Sequence, residues 1–142
     1  MRILTTGVDP AGRSYLSEVR EVGPEAVTEF RSAVAFPTTA LPLAPRPPGD
    51  GSLMDLGVPP AHCRWSVVTF PPHWTAPMHH TDTVDFDTVL AGSMVLVLGD
   101  GEHELGPGDL VVVAGVDHAW RAGSAGATMT IVVQGTEPPA EA

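Results

Sequence analysis

Over the second half of the chain, every apolar run is stopped by Gly, Pro or Asp after about four to eight residues. That punctuation weighs against a helical fold more than any other feature. Arg64–Phe70 is halted by Pro71-Pro72, and Val84–Leu90 and Ser93–Leu98 follow. Gly99-Asp100-Gly101 turns the chain into Glu102–Leu105, and Gly106-Pro107-Gly108-Asp109 turns it into Leu110–Ala114. His118–Arg121 and Thr128–Gln134 complete the series. Short strand-like runs at this spacing, joined by glycine turns, predict an all-β sandwich or barrel. Helical patterning is confined to Pro24–Phe30, barely two turns long.

Upstream the signals are of the same kind. Ile3–Val8 and Ser14–Val19 flank Asp9-Pro10-Ala11-Gly12-Arg13, a hairpin with a short loop. Val27–Phe36 reads as another strand. Between Pro37 and Pro60 there are seven prolines, too many for a continuous ladder, so that stretch is expected to be a loop packed over the domain. With 142 residues, the expected organisation is one domain, 1–142. It divides into an N-terminal β arm (1–36), a Pro-rich loop (37–60) and a barrel core (61–136). The arm is too small to hold a core of its own, so it should add strands to the barrel.

Composition bounds the partners. The formal charge is −10 and every basic residue is an arginine, so a nucleic-acid phosphate backbone or an anionic membrane would be repelled. No apolar run reaches membrane-span length, and Met1–Gly7 lacks the apolar stretch of a signal peptide. A cytoplasmic protein is the expectation. Cys63 stands alone, excludes an internal disulfide, and reads as a small buried residue before a strand. Trp65 reads as core.

Two clusters carry the candidate chemistry. The first is Pro77-Met78-His79-His80-Thr81-Asp82-Thr83-Val84-Asp85, followed by Gly92; the second runs from Pro107-Gly108-Asp109 to Gly115-Val116-Asp117-His118. In these motifs, and over roughly Phe70–Gln134, the chain resembles the cupin superfamily, and it looks like a branch of small bacterial single-domain cupins. The resemblance implies an antiparallel β-barrel, or double-sheet jelly roll. It also implies a metal held by two histidines and an acid of the first motif plus a histidine of the second. The sequence departs from that pattern, because the His-x-His pair is represented by either His79 with Thr81 or Met78 with His80. Neutral Thr and Met are poor ligands beside imidazole and carboxylate. Residues two apart on a strand share a face. A regular strand therefore places His79, Thr81, Thr83 and Asp85 inward and His80 outward, unless a bulge intervenes.

The expected metal set is then His79, Asp85 and His118, with His80 as the replacement for His79. Two imidazoles and a carboxylate with open positions suit Fe(II), Mn(II), Ni(II) or Zn(II). Asp85 and His118 are the candidate catalytic residues, and without a metal they would form an acid–base pair. Thr81 and Trp120 are candidate pocket residues. The resemblance implies an enzyme acting on a small organic molecule, with dioxygenase, isomerase, decarboxylase and cyclase chemistries all found on the fold. A non-catalytic sensor or carrier and a metal-free dehydratase or cyclase are the alternatives. The β arm and exposed strand edges predict a homodimer.

Overall fold

Strands form where apolar and polar residues alternate, and turns form where Gly or Pro removes a side chain or a donor. The computed structural model describes residues 1–21 and 51–139. The strand expected at Val27–Phe36, the helical candidate and the first part of the Pro-rich loop lie outside the described residues.

Nine strands follow in chain order: β1 (Arg2–Val8), β2 (Ser14–Glu21), β3 (Ser52–Leu53), β4 (Cys63–Phe70), β5 (Thr75–His80), β6 (Thr83–Leu98), β7 (Gly101–Leu105), β8 (Leu110–Val113) and β9 (His118–Gly135). They form one sheet in the order β2-β1-β8-β6-β9-β5-β3, with β4 also pairing with β9 and β7 with β6. The sheet curls on itself, and the fold is the all-β barrel that the sequence predicts. Among the described residues no helix is long and apolar enough to cross a membrane.

The hairpin β1–β2 turns at Asp9, whose carboxylate accepts bonds from the amides of Ala11 and Arg13. β1 then adds in parallel to β8, with Ile3 opposite Leu110 and Thr5 opposite Val112. Asp109, from the Pro-Gly-Asp turn, binds the Arg2 guanidinium and the Gly106 amide, so the arm and the turn are locked together.

Two strands expected from β6 are one, and so are two expected from β9. The glycines between them make bulges instead of turns. Register shifts occur on either side of Gly92, which has φ 73°, and Gly126 has φ 75°. A Cβ on Gly92 would lie 2.1 Å from the Gly126 carbonyl oxygen, so the two backbones touch where both strands bend. From Asp85 to Val89 the burial of β6 alternates. Asp85, Asp87 and Val89 of β6 sit opposite Val133, Ile131 and Met129 of β9. Asp85 and Asp87 also face Val113 and Val111 of β8. Leu4, Met94, Leu96, Val113 and Met129 are almost wholly buried in this core.

Two expectations fail on β4. Cys63 and Trp65 are exposed, Trp65 to 76%. Odd positions of β4 face away from the core, whereas its even positions Ser66, Val68 and Phe70 are partly covered.

Candidate acid–base site in the barrel

β5 and β9 run antiparallel with His79 directly opposite His118. Both imidazoles are buried, at 5% and 2% exposure, and their ring centres are 4.2 Å apart at a tilt of 51°. The Nδ1 of His79 is 2.8 Å from the Pro77 carbonyl oxygen, and the Nδ1 of His118 is 2.8 Å from that of Val116. A carbonyl only accepts, so each Nδ1 carries a hydrogen, and a ring in its neutral form then has its lone pair on Nε2. Trp120 closes one side edge-on to His118, 5.8 Å between ring centres.

β5 ends at His80, and two residues intervene before β6. An interruption of even length keeps the alternation in phase. Thr81, Thr83, Asp85 and Asp87 are all buried, as is His79. The Thr83 hydroxyl lies 2.7 Å from Asp85 Oδ1 and 2.9 Å from the Thr81 hydroxyl, which makes a line of polar groups along the wall. His80 points the other way, and its Nδ1 is 2.9 Å from Asp117 Oδ1.

Electrostatics separates these groups. Burial pushes the Asp85 carboxyl up to about 6, against the Thr83 hydrogen bond and the Arg64 charge, which both pull it down. Burial, and then the charge of Asp85, push Asp87 well above the usual carboxylate range. Asp87 Oδ1 is buried without a hydrogen-bond partner, which suits a neutral carboxyl better than an ionised one. Burial, followed by repulsion from His79, pulls His118 down to about 4, although its bond to Val116 acts in the opposite direction.

The structure thus brings His79 and His118 together beside Trp120. It sets His80 apart on Asp117, and places Asp85 on the inner wall held by Thr83. Among the described residues no group of three or more His, Cys, Asp or Glu side chains is placed to hold a metal ion. The three-ligand set His79, Asp85 and His118 is therefore not assembled. The donors present are two imidazoles, with a Thr where the resemblance expects a further ligand, and they do not fit the ion that the resemblance implies.

Asp87 and Asp117 were missed from sequence. Asp87 continues the period-two series from His79, and that signal could have found it. Asp117 lies inside the second motif, but its pairing with His80 is a long-range contact with no local mark. At the surface, His103 binds Asp100 and Arg121 binds Glu102. Trp74 packs on Phe70, 4.5 Å between ring centres.

The family model of the cupin domain matches residues 66–134. Three solved structures are similar over about half of the chain. One is a sugar phosphate isomerase of the cupin superfamily from Silicibacter pomeroyi, 25% identical over 52% of this chain and 51% of that one, with a TM-score of 0.45. Another is a polyketide cyclase from Streptomyces resistomycificus, 28% identical over 55% and 57%, with a TM-score of 0.47. The third is a cupin superfamily protein from Desulfitobacterium hafniense, 18% identical over 51% and 67%, with a TM-score of 0.47. The match spans about half the length of the first of these. The comparison with curated proteins finds no match.

Proposed function

The chain belongs to the cupin superfamily through the domain at residues 66–134, and from that premise we propose that it is an enzyme moving protons on a small organic molecule inside the barrel. The observation that carries this reading is the buried pair His79–His118, each with Nδ1 fixed on a backbone carbonyl and its Nε2 lone pair available. Such a pair accepts hydrogen bonds from substrate hydroxyls or takes a proton from them. Asp85, pushed up to about 6, exchanges its proton near neutral pH, where a general acid–base group is most effective.

The step balances without a further reagent. A base takes a proton from one substrate atom and an acid returns one to another. The outcome is an isomerisation, or a dehydration when the acid's proton leaves with a hydroxyl as water. The valine-rich walls around Asp85 and Asp87 exclude bulk water.

The test is deuterium wash-in from heavy water at C–H bonds next to a carbonyl, followed by proton NMR across a panel of small hydroxy-carbonyl compounds. Turnover should depend on a group of apparent pKa about 6, and Asp85→Asn should lower it by about 10²–10⁴-fold. If Asp85→Asn exchanges as fast as the wild type, Asp85 has no part in the chemistry. Binding without exchange across the panel would make the protein a carrier or sensor. Elemental analysis addresses the ion directly. About one equivalent of Fe, Mn, Ni or Zn per chain, lost in His118→Ala, would give the histidine pair to a metal and remove it from this scheme.

A further inference from the structure

β5 does not pair with β9 in one continuous register. Thr75 and Ala76 lie opposite Arg121 and Trp120, and the register then shifts so that His79 lies opposite His118. Pro77 and Met78 thus share the one residue Ala119 between those rungs, which is a β-bulge on β5. Pro77 accounts for its place, because a proline has no N–H for the ladder and is tolerated in a strand where pairing is interrupted. The Pro77 carbonyl inside the bulge accepts the Nδ1–H of His79 at 2.8 Å, so the bulge also orients that ring.

The extra residue decides which side chain reaches His118. Continued without the bulge from Ala76 and Trp120, the ladder would set Met78 opposite His118 and His79 opposite Asp117. A shift of one residue also turns each side chain to the other face of the sheet. Apolar burial on its own favours that second register, since it would place a thioether rather than a second imidazole against the buried His118. β3 pairs with His79 and His80 through the backbone, and a backbone ladder is blind to the side chains it carries. A side-chain contact past the bulge must hold the register that is found. The next position is His80, and its Nδ1 lies 2.9 Å from Asp117 Oδ1. The side chains of this pair are 13% and 9% exposed. Gly51 closes over it, so near that a Cβ there would stand 2.3 Å from Asp117 Oδ1. Asp117 meets an imidazole in either register, that of His79 or that of His80, so it does not choose between them. The choice falls to His80. A carboxylate this buried is costly to leave without a donor, and while His80 supplies one, His79 is kept for His118.

We propose that His80 is a positioning residue: through its bond to Asp117 it holds β5 in the bulged register and so keeps His79, not Met78, against His118. That the pair so held works on a substrate rests on the function proposed above; the register does not.

Two substitutions of nearly one shape separate the bond from mere packing. His80→Asn keeps a donor where Nδ1 stands, and His80→Leu has none. In the full chain, NMR cross-relaxation between the ring hydrogens of His79 and His118, whose centres are 4.2 Å apart, reports the register. His80→Asn should retain that contact. His80→Leu should lose it and gain a contact from the Met78 methyl to the His118 ring. Deleting Pro77 removes the extra residue, so that the uninterrupted ladder itself places His79 opposite His118. In the shortened chain the contact should be present with His80 in place and should survive His80→Leu. If His80→Leu alone does not fold, the deletion should restore both fold and contact. A contact kept in folded His80→Leu, lost in His80→Asn, or absent from either shortened chain would overturn the proposal. Proton exchange on substrate should fall by about tenfold or more in His80→Leu and recover when Pro77 is also deleted, since a displacement of about 1 Å at a reacting group costs on the order of 10²-fold. Exchange rates that ignore the register, with the ring contacts as expected, would leave His80 its role and take the histidine pair out of the chemistry.

Discussion

Burial moves Asp85 and His118 in opposite directions across one pH window, so the same wall both gains and loses stability between pH 4 and 6.5. Asp85 keeps its proton up to about 6 when folded and releases it near 3.8 when unfolded. Between those values the folded chain binds more protons, and the Asp85 contribution falls as pH rises. His118 is the reverse case, protonating near 6.5 unfolded but only near 4 folded. The unfolded chain binds more protons there, and the His118 contribution is lost as pH falls through the window. Urea unfolding should resolve the two. Relative to wild type, Asp85→Asn should gain about 3 kcal/mol between pH 4 and 7, and His118→Gln should gain about 3 kcal/mol between pH 7 and 4. A stability difference that stays constant with pH in either variant would mean that the group is solvated in the folded chain. At this scale the sequence was readable in part. Alternation alone assigns His79, Thr81, Thr83 and Asp85 to one wall, because an even break between β5 and β6 preserves phase. It does not show how far along that wall two side chains stand from each other, and so it could not reveal that Asp85 fails to join the histidines.

At the scale of elements, the turn signals located the strands, but a glycine in a strand can mean a bulge or a turn. Pro71-Pro72, Gly99-Asp100-Gly101 and Pro107-Gly108-Asp109 are turns, as expected. Gly92 and Gly126 instead lie where β6 and β9 bend together, and their strands continue past them. The two kinds of glycine differ in what surrounds them, which is long-range information. A methyl group on Gly92 adds backbone clash to an unfavourable φ, whereas the space around Gly108 is open. Gly92→Ala should therefore cost about 3 kcal/mol or more, and Gly108→Ala only about 1–2 kcal/mol. Thermal unfolding compares them. Equal losses would show that the contact between the two bends is not tight. Cys63 and Trp65 were misassigned for a related reason. An apolar residue in a strand is expected inward, and only the tertiary burial pattern of β4, paired along β9, shows that its odd positions face out.

For the molecule as a whole, the exposed apolar side chains are not spread evenly. Trp65 at 76% and Val67 at 66% exposure lie on one face of β4, with Thr69, Thr128 and Thr130 beside them. Among the described residues β4 pairs only with β9. This patch carries no charge on a chain of formal charge −10. Two copies would repel each other through most orientations, and least through this one. An antiparallel approach of β4 to its own copy would extend the sheet across a two-fold axis and cover both tryptophans. A homodimer joined here should tighten as salt screens the residual repulsion, unlike one held by ion pairs. Sedimentation equilibrium is expected to give twice the mass of one chain. Trp65→Glu combined with Val67→Glu should halve that mass with the circular dichroism spectrum retained, since both side chains already face water. A wild-type mass of one chain at every salt concentration would refute the association, and a dimer that survives both substitutions would move it to another face.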